Sequence, residues 1–137
     1  MHLIIYADGA SRGNPGPAAI GAVIKDEQQK ELVKISQYIG ERTNNQAEYQ
    51  AVIAALKEAA RLKAATVTLH LDSELVAKQL AGSYKVRNLF LFPLYKEAAE
   101  LCKKFVNLSI VHVGHEGNTE AHALAGAALK KFAGPKG

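Results

Sequence analysis

The chain opens with two short apolar runs, HLIIYAD over 2–8 and AAIGAVIK over 18–25, parted by the glycine- and proline-rich SRGNPGP. Short runs rich in Ile and Val and bounded by turn formers predict two strands joined as a hairpin with a long loop. A third strand is predicted over 31–39 (ELVKISQYI), after the charged turn DEQQK. The period then changes. In NNQAEYQAVIAALKEAARL, residues Val52, Ala55, Leu56, Ala59 and Leu62 recur at the spacing of one helical face, which predicts an amphipathic helix. TVTLHL returns to alternation, with Val67, Leu69 and Leu71 set against Thr68 and His70. It leads into DSELVAKQL, where Ser73 is placed to cap a helix. A helix over 91–104, a strand over 108–113 and a last helix over 118–132 complete the pattern. Three early strands followed by alternating helix and strand imply an α/β (mixed α+β) fold, its antiparallel hairpins feeding parallel crossovers with helices packed on the sheet.

Composition narrows this picture. With 137 residues, 48% of them hydrophobic, and no repeat or linker to divide it, residues 1–137 are expected to form a single domain. No apolar run approaches the roughly 18 residues needed to span a bilayer, and MHLIIYADG lacks the basic start and long apolar centre of a secretory signal. The expectation is a cytoplasmic protein without a membrane partner. The lone Cys102 is read as packing. A net charge of +4 and a pI of about 9.2, with Lys103/Lys104 and Lys130/Lys131 as the densest basic pairs, favour a polyanionic partner.

The acids carry the candidate chemistry. Asp8 stands where the first apolar run stops, although "DG" also makes an ordinary turn. Glu48 is more telling, because helical spacing puts it on the face of Val52, Ala55, Leu56 and Ala59 that must be buried. Burying an unpaired charge costs several kcal/mol, so such a group is protonated, paired with a cation or bound to a metal. Asp72 ends a strand and directly precedes a helix, where sheets present ligand-binding groups and where helix caps are also found. If the three converge, each pair about 4 Å apart repels by roughly 4 kcal/mol at an effective dielectric of about 20. A divalent cation removes that penalty, and an all-oxygen site suits Mg²⁺ or Mn²⁺. A pair of such ions can activate water and steady the leaving oxygen of a phosphodiester.

At these residues the sequence resembles the type-1 ribonuclease H family. The matching segments are YADGASRGNPGPAAIGAV, TNNQAEYQAVIAAL, LDSELVAKQL and HVGHEGNTEAHALA, in the family's order and spacing over nearly the whole chain. The resemblance implies a ribonuclease H-like fold, a five-stranded mixed sheet flanked by helices. It also implies a metal-dependent endonuclease that cuts the RNA strand of RNA/DNA hybrids with two metal ions. By that resemblance Asp8, Glu48 and Asp72 are the metal-binding, catalytic carboxylates. Asn14, Asn44 and Asn45 match positions that contact minor-groove edges and RNA 2′-hydroxyls, a task suited to amides that both donate and accept. Thr43, beside Arg42 at a helix N-terminus, matches a pocket for a DNA-strand phosphate, since exposed helix N–H groups bind anions. TNN is also simply a good helix cap.

Two features depart from the family pattern. Some members carry a lysine- and tryptophan-rich protrusion that grips the hybrid; here AGSYKVRNLFLFPLYKEAAEL runs straight to the next helix with only Lys85 and Arg87. Affinity is then expected to rest on other basic residues such as Lys103 and Lys104, and to fall with salt. The second departure is His122, which occupies the position of the family's fourth carboxylate. A neutral imidazole can ligate a metal or hold a water, adds no negative charge and favours Mn²⁺ over Mg²⁺. His122 is therefore counted as a catalytic and metal-binding residue. His115, in VGHEGN, matches a loop histidine near the attacking water or departing product, or is merely solvated. The alternative to an endonuclease is a hybrid-binding module that cleaves weakly or not at all because of His122. A proofreading exonuclease of the same fold would carry Asp-x-Glu on the first strand, where this chain has DGA. A monomer is expected.

Overall fold

The computed structural model describes residues 1–133. Its elements in chain order are β1 (His2–Ser11), β2 (Gly16–Lys25), β3 (Glu31–Arg42), α1 (Asn44–Arg61), β4 (Thr66–Leu71), α2 (Glu74–Leu80), α3 (Phe92–Cys102), β5 (Asn107–His112), a 3₁₀ turn at His115–Gly117 and α4 (Thr119–Ala133). The five strands lie in the order β3-β2-β1-β4-β5. β1–β2 and β2–β3 are antiparallel, whereas β1–β4 and β4–β5 are parallel. This is the five-stranded mixed sheet with flanking helices that the pattern predicts.

Every residue of β2 from Ala18 to Ile24 is buried, because helices cover both faces of the sheet there. Ile20, Ala22 and Ile24 join Leu3, Ile5 and Ala7 in the main core with Val52, Leu56 and Val76. Ala19, on the other face, packs with Ala128 and Leu129 of α4. Thus α1, α2 and α3 form one layer and α4 the opposite one. The α1 stripe is fully buried at Val52, Ala55, Leu56 and Ala59. At the boundary of the first layer, Tyr49 donates from its hydroxyl to Gln79 Oε1 at 2.5 Å, joining α1 to α2 inside the core.

Strand and helix ends differ from the expected ones. β1 runs three residues past Asp8 to Ser11, and β3 continues to Arg42, because the start of β2 pairs with the ends of both: Ala18 lies opposite Ser11, and Gly16 opposite Arg42. Asp8 therefore lies within a strand, opposite Gly21, and the turn reading of "DG" fails. α3 starts at Phe92, with a proline in its first turn, and ends at Cys102.

Candidate active site

Three elements deliver the acids: Asp8 from β1, Glu48 from the second turn of α1 and Asp72 from the residue after β4. One carboxylate oxygen from each lies within 4.8 Å of the others. Among the described residues this is the one such grouping of His, Cys, Asp and Glu. Two glycines make the convergence possible. A Cβ on Gly9 would stand 2.2 Å from the backbone of Ala47, and one on Gly21 would stand 2.2 Å from the carbonyl oxygen of Ala121. Bare backbone at these points lets α1 rest on β1 from one face and α4 rest on β2 from the other. The Gly9 N–H then donates to Glu48 Oε1 at 2.6 Å, which orients that carboxylate toward Asp8.

Asp72 does not cap α2; that role falls to Ser73, whose hydroxyl accepts from the Val76 N–H at 3.2 Å. The Asp72 carboxylate is left free for the cluster. Burial pushes the Asp8 carboxyl up, and the neighbouring Asp72 pushes it further, against hydrogen bonds from Glu48 and His122. Burial raises Glu48 well above the ordinary carboxylate range, with repulsion from Asp8 next in size. Burial and mutual repulsion thus make Asp8 and Glu48 harder to ionise than free carboxyls. Their oxygen-only donor set and their resistance to ionisation fit a hard divalent cation, which supplies the missing positive charge.

Two imidazoles border the cluster. His122, one turn into α4, places Nδ1 2.9 Å from Asp8 Oδ2. His115, in the 3₁₀ turn, places Nδ1 3.5 Å from Asp72 Oδ2. The rings meet edge to face with centroids 4.7 Å apart. Side-chain exposures of 51% for His122 and 67% for His115 leave both reachable from solvent, while Asp8 and Asp72 sit deeper at 5% and 13%. Asn118, just before α4, fixes the helix to β1 by donating from Nδ2 to the carbonyl oxygen of Ala7 at 2.9 Å.

The expected substrate residues gather at the N-terminus of α1. Thr43 is indeed the helix cap: its hydroxyl accepts from the Gln46 N–H while Gln46 Oε1 accepts from the Thr43 N–H. Asn14 Oδ1 accepts from the Asn44 N–H and Asn44 Oδ1 accepts from the Ser11 N–H, each at 3.0 Å. These bonds tie the β1–β2 loop to the helix and leave the amide NH₂ groups of both residues as donors. Arg42 donates from Nε to Gln50 Oε1 at 3.2 Å. Asn14, Thr43, Asn45 and Gln46 line a cavity of about 240 Å³ whose far wall is Asn88, Phe90 and Leu91. Sequence reasoning missed that wall, since Asn88 carries no periodic signal and lies in a segment read only as the absence of a protrusion. Lys103 and Lys104 are placed away from the site. They precede β5, whose Asn107 pairs with Thr66 at the start of β4, so a strand length of roughly 16 Å separates them from the Asp72 end.

A family description, reverse transcriptase-like, matches residues 6–128. A bifunctional protein of Mycobacterium tuberculosis is 41% identical over 130 residues, 94% of this chain and 36% of that protein. Ribonuclease HI of Halobacterium salinarum is 45% identical over 124 residues, 90% of this chain and 62% of that protein. The crystal structure of RNase H1 from Halobacterium salinarum superimposes with a TM-score of 0.92 at 43% identity, covering 96% of this chain and 99% of the solved one. The chain belongs to the ribonuclease H family. Another family structure, LC11-RNase H1 in complex with an RNA/DNA hybrid, superimposes with a TM-score of 0.89 at 42% identity, covering 94% and 97% of the two chains. The chain thus spans about a third to two thirds of the curated relatives it matches first. Among the described residues no helix is long and apolar enough to cross a membrane.

Proposed function

We propose that this chain is an endonuclease that hydrolyses the RNA strand of RNA/DNA hybrids, dependent on divalent metal, and that residues 1–137 act as one monomeric domain in the cytoplasm. The observation that carries the reading is the convergence of Asp8, Glu48 and Asp72 to within 4.8 Å in a chain of this family. Asp8, Glu48 and Asp72 would hold two Mg²⁺ or Mn²⁺ ions with substrate bound, with His122 at the edge of the set. When bound, such ions supply an activated water and charge for the leaving oxygen of the phosphodiester.

The chain's own residues position and discriminate. The Gly9 N–H and the His122 ring each fix one carboxylate oxygen, so the donors are set before substrate arrives. His115, exposed beside Asp72, is placed to carry a proton between the site and solvent. The amide NH₂ groups of Asn14 and Asn44, together with Asn45, would read a 2′-hydroxyl, which separates RNA from DNA in the cut strand. Thr43 and its cavity, with Arg42 beside it, would seat a phosphate of the uncut strand at the positive end of α1.

The test is a gel assay on a labelled hybrid beside matched single strands and duplexes, with Mg²⁺, Mn²⁺ or EDTA. Metal-dependent internal cuts confined to the RNA of the hybrid are expected. Hybrid binding without cleavage in either metal would favour the binding-module alternative, in which His122 leaves the cluster short of charge. Cleavage of DNA single strands would remove the reading altogether.

A further inference from the structure

The sheet has two edges, and the sequence guards only one of them. β3, at one edge, carries Glu31, Lys34, Glu41 and Arg42 and two breaks in its register with β2. Charges and bulges of this kind keep foreign strands from pairing. β5, at the other edge, reads NLSIVH, with no Asp, Glu, Lys, Arg or Pro, and it keeps an unbroken register with β4 from Asn107 opposite Thr66 to His112 opposite Leu71. Its hydrogen bonds run to one side. The N–H groups of Asn107 and Val113 donate to the carbonyls of Ala65 and Leu71 at 3.3 and 2.8 Å. Alternation along the strand then turns the N–H and C=O groups of Leu108, Ile110 and His112 to the outer side, where no further strand lies.

A cavity and a charge gradient say what kind of strand fits this edge. An open cavity of about 500 Å³ lies beside it, with Leu80, Cys102, Phe105, Leu108 and Ile110 in its lining. Every second side chain of a strand laid along β5 would point to that cavity. No Asp or Glu occurs between Glu100 and Glu116, while Lys103 and Lys104 stand just before β5. Lys103 lines the cavity and is shared with Glu100; Lys104 has no ion-pair partner among the described residues. At the other end of β5, Glu74 lies near His112. The edge therefore runs from basic to acidic, which suits a strand whose own acids are gathered at one end.

We propose that the β5 edge receives an extended segment of a partner protein, apolar at alternate positions and acidic at the end that meets Lys103 and Lys104, which joins the sheet as a sixth strand. Main-chain hydrogen bonds to Leu108, Ile110 and His112 give the pairing its affinity; the cavity and the two lysines give it selectivity. Antiparallel pairing, the more stable kind, brings the acids to the lysines when they lie at the C-terminal end of the segment. The lysines lie a strand length from the Asp72 end, so the inference stands apart from the reaction performed at the carboxylate cluster.

The probe is a labelled peptide of alternating valine and threonine that ends in two aspartates, acetylated and amidated so that its termini carry no charge, beside a second peptide with lysines in place of the aspartates. Anisotropy titrations and amide hydrogen exchange are run on the native chain, on K103E/K104E and on H112P, which deletes one outward N–H at an exposed strand end where proline is tolerated. The aspartate peptide is expected to bind the native chain about tenfold tighter than the lysine peptide and to slow exchange at the N–H groups of Leu108, Ile110 and His112. K103E/K104E should reverse the preference between the peptides, and H112P should weaken both about tenfold while keeping the native Tm. No binding of the aspartate peptide at about 1 mM would overturn the inference. So would protection that appears along β3 instead of β5, affinities equal for the two peptides, or a concentration-dependent dimer of the native chain that H112P abolishes, which would give the edge to a second copy.

Discussion

His122 Nδ1 lies 2.9 Å from Asp8 Oδ2, so the one imidazole of α4 that faces the sheet is bonded to the most buried acid of the cluster. A carboxylate here would add charge for a cation to bind; an imidazole adds a nitrogen donor instead. His122→Asp is therefore expected to lower the Mg²⁺ concentration for half-maximal cleavage by about tenfold and to reduce the advantage of Mn²⁺ over Mg²⁺. His122→Ala should lose activity in both metals. Metal titrations of hybrid cleavage measure all three proteins, and equal curves would show that His122 has no part in the reaction.

Asp8→Asn and Glu48→Gln remove a ligand while keeping shape and hydrogen bonds. Each is expected to reduce hybrid cleavage by more than about a thousandfold, since the charge that a metal supplies is worth several kcal/mol in the transition state. Without metal the same variants should be more stable than the native chain, by about 1 kcal/mol, because a buried repulsion is gone. Urea midpoints in EDTA provide the check.

The raised carboxyls also set a pH dependence. Asp8 and Glu48 bind protons more tightly folded than unfolded, so the folded state holds more protons at pH values between the unfolded and folded pKa. Their contribution is fully present at low pH and is lost as pH rises from about 4, the unfolded value, through the raised folded values. In EDTA the native chain should therefore lose stability relative to Asp8→Asn over that window. Saturating divalent cation should cancel the loss, adding about 2.7 kcal/mol at a hundred times its Kd. Thermal melts at several pH values, with and without Mn²⁺, follow both effects.

Away from the site, Tyr49→Phe deletes the hydroxyl that donates to Gln79 Oε1 at 2.5 Å. Gln79 is 5% exposed, so its oxygen would be left buried without that donor. A loss of about 1–3 kcal/mol is expected. Tyr49→Phe combined with Gln79→Leu should recover part of it, and chemical denaturation of the two variants would reveal the coupling.

Gly21→Ala tests the approach of α4. The new Cβ would meet the Ala121 carbonyl at 2.2 Å and the Ala125 N–H nitrogen at 2.5 Å, both backbone atoms that cannot rotate away. Displacement of α4 is expected to cost about 3 kcal/mol. It should also weaken Mn²⁺ binding by calorimetry, because His122 moves with the helix.

Much of this architecture was legible because its signals were periodic. The α1 stripe of Val52, Ala55, Leu56 and Ala59 is a face-by-face record of what it buries, and Glu48 stood out as an acid on that face. Asp8 and Asp72 were readable only through their places at strand ends and through family resemblance, since nothing local distinguishes a ligand from a turn or cap. The extension of β1 past Asp8 was hidden: its last residues pair with the start of β2, whereas the Gly- and Pro-rich sequence between them looks like loop. Asn88 and Phe90 were hidden for another reason, since their place opposite Asn14 and Thr43 arises only where the α2–α3 segment meets α1. The place of the basic pair Lys103/Lys104, at the end of β4 remote from Asp72, was not legible, because charge density along a sequence carries no record of which end of a strand it will occupy.

The bare backbone at Gly9 and Gly21 brings one helix against each side of the strand pair that holds Asp8. No loop or swivel stands between those helices and the chemistry. A slide of α1 carries Glu48 with it, and a slide of α4 does the same to His122, so a shift of either helix is felt at the carboxylate cluster. Substitutions on the outer faces of the two helices and in the connecting loops leave both helix axes where they are, and are expected to be the ones such a site tolerates.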